Sequence, residues 1–140
     1  MGKILCATRG GEASYRSQDA AIALAKERGD ELVFLYVVDL RFLDKTSAPI
    51  VVDVEGEMGK MGRFLLAMAH ERAAAQGVEA GTLCREGKVR EELIAAAQEE
   101  GATLIVLGKP SGEESAFELA GLKKFAARLE EDSGVEVHIA

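Results

Sequence analysis

Cysteine is scarce: Cys6 and Cys84 are the two in 140 residues, and their spacing fits neither a disulfide framework nor a metal site. Cys6 sits inside an apolar run, where a buried, inert thiol is expected. Basic residues are also short. Seventeen Lys and Arg against 24 Asp and Glu give a net charge of -7, which argues against binding a nucleic-acid backbone. No apolar run approaches the about 18 residues that a membrane helix needs, and residues 1–5 lack the pattern of a secretory signal, so a cytoplasmic location is expected. No repeat, low-complexity tract or linker interrupts the chain. His70 and His138 have no partner at ligand or triad spacing, and no nucleophile elbow, metal cluster or catalytic carboxylate pair is found. The residues therefore point to no catalytic or metal chemistry, and no enzyme activity is assigned.

What is present is ordinary for one globular domain spanning 1–140: 48% apolar and 29% charged residues. Lys3 to Thr8 carries a short apolar run that reads as a strand, and Gly10-Gly11 opens a loop. A helix follows, with Ser14 or Ser17 as its N-cap, Ala21, Leu24 and Ala25 on its apolar face, and Gly29 as its stop. Leu32 to Val38 is apolar throughout, the pattern of a strand covered on both faces. Asp39 to Glu55 reads as a long connection containing Pro49 and the β-branched stretch Ile50 to Val52. A second helix is expected from about Glu57 to Gln76, with Met58, Met61, Leu65 and Met68 filling the core at helical spacing. Val78 to Cys84 suits an outer strand. Lys88 to Glu100 suits a helix stopped by Gly101, and Thr103 to Leu107 a buried strand. Leu122, Phe125, Ala126 and Leu129 mark a last helix, and Val135 to Ile139 a final strand.

Five alternations of strand and helix specify an α/β fold: a five-stranded parallel sheet with helices on both faces and right-handed crossovers. The longest apolar runs belong inside, which favours the order 3-2-1-4-5. Ligands in such sheets bind where the chain reverses direction, at the carboxyl ends of strands 1 and 4. That places a candidate site between Thr8 to Ser14 and Gly108 to Gly121. The final strand falls at an edge, where Val135, Val137 and Ile139 can face the core while Glu136 and His138 face outward. An edge strand invites pairing with a second copy, so a homodimer is expected there.

Several segments together resemble the universal stress protein family over nearly the whole length. They are Ile4-Leu5-Cys6-Ala7-Thr8-Arg9-Gly10-Gly11-Glu12-Ala13-Ser14, the strand Glu31 to Asp39 ending in Val-Val-Asp, Gly87 with Ile94 and Ala95, and Ala102-Thr103-Leu104-Ile105-Val106-Leu107-Gly108. The resemblance implies the adenine nucleotide alpha hydrolase-like fold, a stress-response role, dimerisation through the last strand, and a nucleotide pocket lined by Ala7, Thr8, Arg9, Val38, Gly108, Ser111, Gly112, Gly121 and Leu122. ATP-binding members carry Gly-x-x-Gly, then nine residues, then Gly with Ser or Thr. Their glycines let the backbone approach the phosphates. Here Gly108 and Gly121 stand at the first and third glycine positions. Ser111 takes the second, with Gly112 one place late, and Leu122 replaces the hydroxyl residue. Arg9 replaces the family's Asp at the adenosine end.

Glu113, Glu114 and Glu118 fall where a triphosphate would be wrapped. Two unit charges about 5 Å apart repel by roughly 3 kcal/mol at an effective dielectric of 20. Ser111-x-x-Glu114 is also a capping box, which favours a helix start over an open loop. The expected protein is thus a non-enzymatic regulatory dimer with weak or absent ATP binding and no cofactor, and a protein partner is compatible with it. The alternative is an ATP- or AMP-binding switch. A more remote alternative is an ATP pyrophosphatase-like enzyme, because Arg9 to Ser14 is similar to that group's Ser-Gly-Gly-x-Asp-Ser loop, although Arg9 and Ala13 replace its Ser and Asp. Arg9, Lys109, Lys123 and Lys124 around a helix N-terminus near Gly121 would make a modest anion site. For Lys123 and Lys124, a solvated helix face is the plainer expectation.

Overall fold

The computed structural model of the chain describes residues 2–8, 12–38, 48–108 and 115–140, and for 12–13, 48–58 and 115–119 the backbone only. Nine elements alternate among the described residues: β1 (Lys3–Ala7), α1 (Glu12–Arg28), β2 (Glu31–Val38), α2 (Ala48–Ala75), β3 (Ala80–Glu86), α3 (Val89–Glu100), β4 (Leu104–Leu107), α4 (Ser115–Ser133) and β5 (Glu136–Ile139). All four strand pairings are parallel and the order is β3-β2-β1-β4-β5, as the apolar runs required. Cys6 of β1 stands opposite Phe34 of β2 on one side and Val106 of β4 on the other.

Side chains alternate across each strand, so the sheet feeds two cores. On one face Ile4, Cys6, Leu32 and Phe34 pack under Ala21, Ile22 and Ala25 of α1 and Leu66, Ala69 and Ala73 of α2. On the other, Leu5, Val33, Leu35 and Ile105 pack under Leu93, Ala96 and Ala97 of α3 and Ala126 and Leu129 of α4. Glycine closes the helices as expected. Gly29 and Gly101 sit at φ 67° and 66°, a left-handed conformation that frees the chain to turn into the next strand.

The structure departs from the sequence reading in three places. Helix α1 begins at Glu12, so Ser14 and Ser17 are buried members of the helix rather than its N-cap. Helix α2 begins at Ala48, so Pro49 and Ile50 to Val52 are helical. Proline lacks an N–H that the first turn does not use, and its fixed φ suits that turn. Residues 39–47 of the expected connection lie outside the described residues. Finally, Met61 and Met68 are exposed, as is Phe64, while Gly62, Leu66, Ala69 and Ala73 face the sheet. The buried stripe of α2 is shifted by one residue from the methionine stripe. It is built of small residues that let the helix come close: a Cβ on Gly62 would lie 2.6 Å from Tyr36 Cδ1. Met58 lies outside the described side chains.

Candidate functional site

The chain leaves β1 toward β2 and leaves β4 toward β5, so the carboxyl ends of β1 and β4 border the point where the winding reverses. Thr8 and Gly108 stand there. The Thr8 N–H donates to the Leu35 carbonyl at 2.8 Å, extending the ladder one residue beyond β1. Its hydroxyl oxygen accepts from Gln18 Nε2 at 2.9 Å. Ser17 Oγ donates to the Ser14 carbonyl at 2.9 Å. Thr8, Ser14, Ser17 and Gln18 are the buried polar side chains among the described residues, and all four lie on the end of β1 and the first two turns of α1. A polar cluster on an otherwise aliphatic sheet thus coincides with the crevice. Buried polar atoms are normally paired. Gln18 is 2% exposed, yet its Oε1 has no hydrogen-bond partner among the described residues.

Of the sequence-predicted site residues, Ala7, Thr8, Val38 and Gly108 come to this end of the sheet. Ala7 packs on the core beneath α3 and α4. Val38 is buried, and its carbonyl accepts the Gly87 N–H at 3.0 Å. Gly108 has a packing role of its own. A Cβ there would sit 3.1 Å from Ser17 Oγ, so its missing side chain lets α1 settle against β4. For Gly121 and Leu122 the structure gives a helical setting rather than a loop. Both lie inside α4, which begins at Ser115, and Leu122 packs on the core beneath α3 and α4 together with Phe125. The helix N-terminus expected near Gly121 is therefore six residues upstream, and Lys123 and Lys124 are exposed on α4. Helical periodicity decided this: Leu122, Phe125, Ala126 and Leu129 form one apolar face, and a residue on that face cannot also offer itself to a loop-bound phosphate. Arg9, Lys109, Ser111, Gly112 and the Ser111–Glu114 box lie outside the described residues, and the Glu118 side chain does too.

Sequence reasoning missed Ser17 and Gln18. The available signal was their position: they fall on the same helical face as Ala21 and Ala25, which places them inward. Other singled-out residues behave as structural parts. Burial without a compensating charge pushes the Cys6 thiol up to about 12. His70 Nδ1 lies 2.7 Å from the Ala80 carbonyl, which can only accept, so that nitrogen carries a proton and ties α2 to β3. No group of three or more His, Cys, Asp or Glu at metal-binding proximity occurs among the described residues. On β5, Val137 and Ile139 pack inward, as does Val135 just before it, while Glu136 and His138 are exposed. The Val137 N–H donates to Glu130 Oε2 at 3.1 Å, and the Val135 N–H to Ser133 Oγ at 3.1 Å, so α4 partly satisfies this sheet edge.

Comparison with known proteins agrees with this architecture. A model of the universal stress protein family matches residues 1–125. The chain is 34% identical over 116 residues to the universal stress protein YxiE of Bacillus subtilis (strain 168), covering 77% of this chain and 78% of that protein. Among solved structures, a member of the family from Burkholderia pseudomallei superposes with a TM-score of 0.72 at 30% identity, over 99% of this chain and 95% of that one. A universal stress protein in complex with cAMP superposes equally well, at 0.72 and 23% identity over 99% and 96%, a likeness of fold.

Proposed function

The chain belongs to the universal stress protein family, and on that premise we propose that it acts as a non-enzymatic stress-response regulator, a homodimer with weak or absent ATP binding. The observation that carries this reading is the placement of Gly121 and Leu122 inside α4, with Leu122 turned to the core. A phosphate-wrapping segment needs its last glycine and hydroxyl free in a turn. Here Gly121 is held in a helix, and Leu122 brings no hydroxyl. The acidic residues Glu113, Glu114 and Glu118 add repulsion toward a triphosphate. Titration calorimetry with Mg-ATP is expected to show no binding at micromolar concentrations. A micromolar or tighter constant would overturn the reading.

The dimer is built through β5, an edge strand whose apolar side faces the core and whose outer backbone is open to antiparallel pairing about a two-fold axis. Such pairing requires Glu130 to release the Val137 N–H. The unit acts as one domain over 1–140, in the cytoplasm, with a protein partner rather than a nucleic acid, given the net charge of -7. No helix among the described residues is long and apolar enough to cross a membrane.

A second reading is favoured by one specific observation, the unpartnered Gln18 Oε1 at the crevice. Solved relatives in fold include one in complex with cAMP and one, from Archaeoglobus fulgidus, with dAMP. In this reading the crevice holds an adenosine monophosphate, with Gln18 accepting a hydrogen bond near its inner end. Gln18→Leu should then weaken AMP binding at least as much as Gly121→Ala does. Equal AMP heats for the wild type and Gln18→Leu would dismiss it.

A further inference from the structure

We propose that the outward face of α2 is a second self-association surface, on which the helix pairs antiparallel with α2 of another copy. The observation is an apolar stripe that the fold leaves uncovered: Phe64 is 65% exposed, Met61 58% and Met68 39%. Phe64 points away from the sheet, because Gly62, Leu66, Ala69 and Ala73 occupy the opposite side of the helix. Scattered exposed apolar residues need no explanation, but three large ones contiguous on one helix face mark an interaction site.

The sequence of that face indicates what covers it. Lys60, Phe64, Ala67 and Glu71 are all exposed and recur at intervals of four, three and four residues, the spacing of a two-helix seam. Set antiparallel about a two-fold axis between positions 65 and 66, this column is complementary to itself. Phe64 of each copy meets Ala67 of the other, a ring against a small residue, so the helices interdigitate. Lys60 of each copy meets Glu71 of the other, placing opposite charges at both ends. Met61 and Met68 lie along one flank, where they cover the ring and fill irregular gaps. Neither Lys60 nor Glu71 takes part in an ion pair among the described residues. The parallel arrangement would oppose Lys60 to Lys60 and Glu71 to Glu71, so charge selects the antiparallel one. A two-fold contact of this kind is isologous.

This surface is separate from β5. Helix α2 packs over β2 and β3, at the opposite end of the sheet order from β5. Two such contacts on one chain would join dimers into a larger assembly.

The test exploits the charge pattern. Lys60 and Glu71 are about 16 Å apart along one helix, too far to pair within a protomer. Lys60→Glu leaves two acids at each seam end, and Glu71→Lys leaves two bases at each. Each variant alone is expected to weaken association through α2 by roughly tenfold, while an equimolar mixture restores it. With one variant uniformly labelled with nitrogen-15 to separate the masses, native mass spectrometry of the mixture should show hetero-association well above the statistical half. A statistical distribution would overturn the proposal, because exchange through β5 ignores positions 60 and 71. Phe64→Glu provides an independent arm. In sedimentation it should remove the α2 contact and leave any β5 dimer intact, whereas Val137→Pro should do the reverse. An unchanged sedimentation profile for Phe64→Glu, with helicity retained, would also refute the seam, as would a wild-type monomer at tens of micromolar.

Discussion

Two glycines on α2, three residues apart, should respond to the same substitution with opposite signs. Gly59 and Gly62 both lie inside the helix. Replacing a mid-helix glycine by alanine gains about 1 kcal/mol from backbone entropy and helix propensity. At Gly59 the new Cβ meets, among the described residues, Arg63 Nη1 alone, at 3.4 Å, the far end of a flexible side chain. Gly59→Ala should therefore stabilise the protein by about 0.5 to 1 kcal/mol. At Gly62 the Cβ would lie 2.6 Å from Tyr36 Cδ1, 3.0 Å from Cε1 and 3.3 Å from Cys84 Sγ. The ring belongs to β2 and is held against β3, so either it turns or α2 lifts. Overpacking of this kind costs about 1 to 3 kcal/mol. The net effect of Gly62→Ala should be destabilisation by about 1 kcal/mol, a Tm lower by a few degrees. Urea denaturation of the two variants against the wild type measures both signs. Equal stabilisation by the two would show that α2 does not sit this close to Tyr36, and the account of its buried face would fail.

Leu122→Ser restores a hydroxyl at the family position but removes a side chain packed on the core; it should cost about 1 to 3 kcal/mol in denaturation and gain no Mg-ATP affinity by calorimetry. Cys6 should resist alkylation by iodoacetamide at pH 8 until urea unfolds the chain, while the partly exposed Cys84 reacts first. The same thiol makes stability fall in alkali. With its pKa raised from 9.0 to about 12 by burial, the folded state keeps a proton that the unfolded state gives up above pH 9, so stability drops by about 1.4 kcal/mol per pH unit from there toward 12. Denaturation at pH 8 and pH 10 should show a shallower loss in Cys6→Ala than in the wild type, and parallel slopes would reject the buried-thiol assignment. Val137→Pro should dissolve the β5 dimer while leaving the domain folded, read by light scattering.

The sheet was legible because its inner strands β1, β2 and β4 are continuous apolar runs and its outer strands β3 and β5 are more polar, signals that require no tertiary knowledge. Helix α2 was harder. Its buried face is Gly62, Ala69 and Ala73 with Leu66, and small residues leave no hydrophobic signature, whereas the exposed Met61 and Met68 carry one. The start of α2 was hidden by Pro49 and the β-branched Ile50 to Val52, which read as strand or loop unless the tolerance of a helix's first turn for proline is weighed. At the crevice, the ends of β1 and β4 followed from topology alone. Gly121 and Leu122 stand at motif positions of the family and also at the start of the helical period that runs from Leu122 to Leu129, and the structure places both in α4. Gln18 escaped because a polar residue within an amphipathic helix passes for surface until its face is counted.

The proposed weak or absent ATP binding can be tested on the protein as purified. The most direct measurement is to denature freshly purified protein by heat and to identify any released nucleotide by absorbance and chromatography. The account predicts no stoichiometric adenine nucleotide. Release of ATP at close to one equivalent per chain would contradict it.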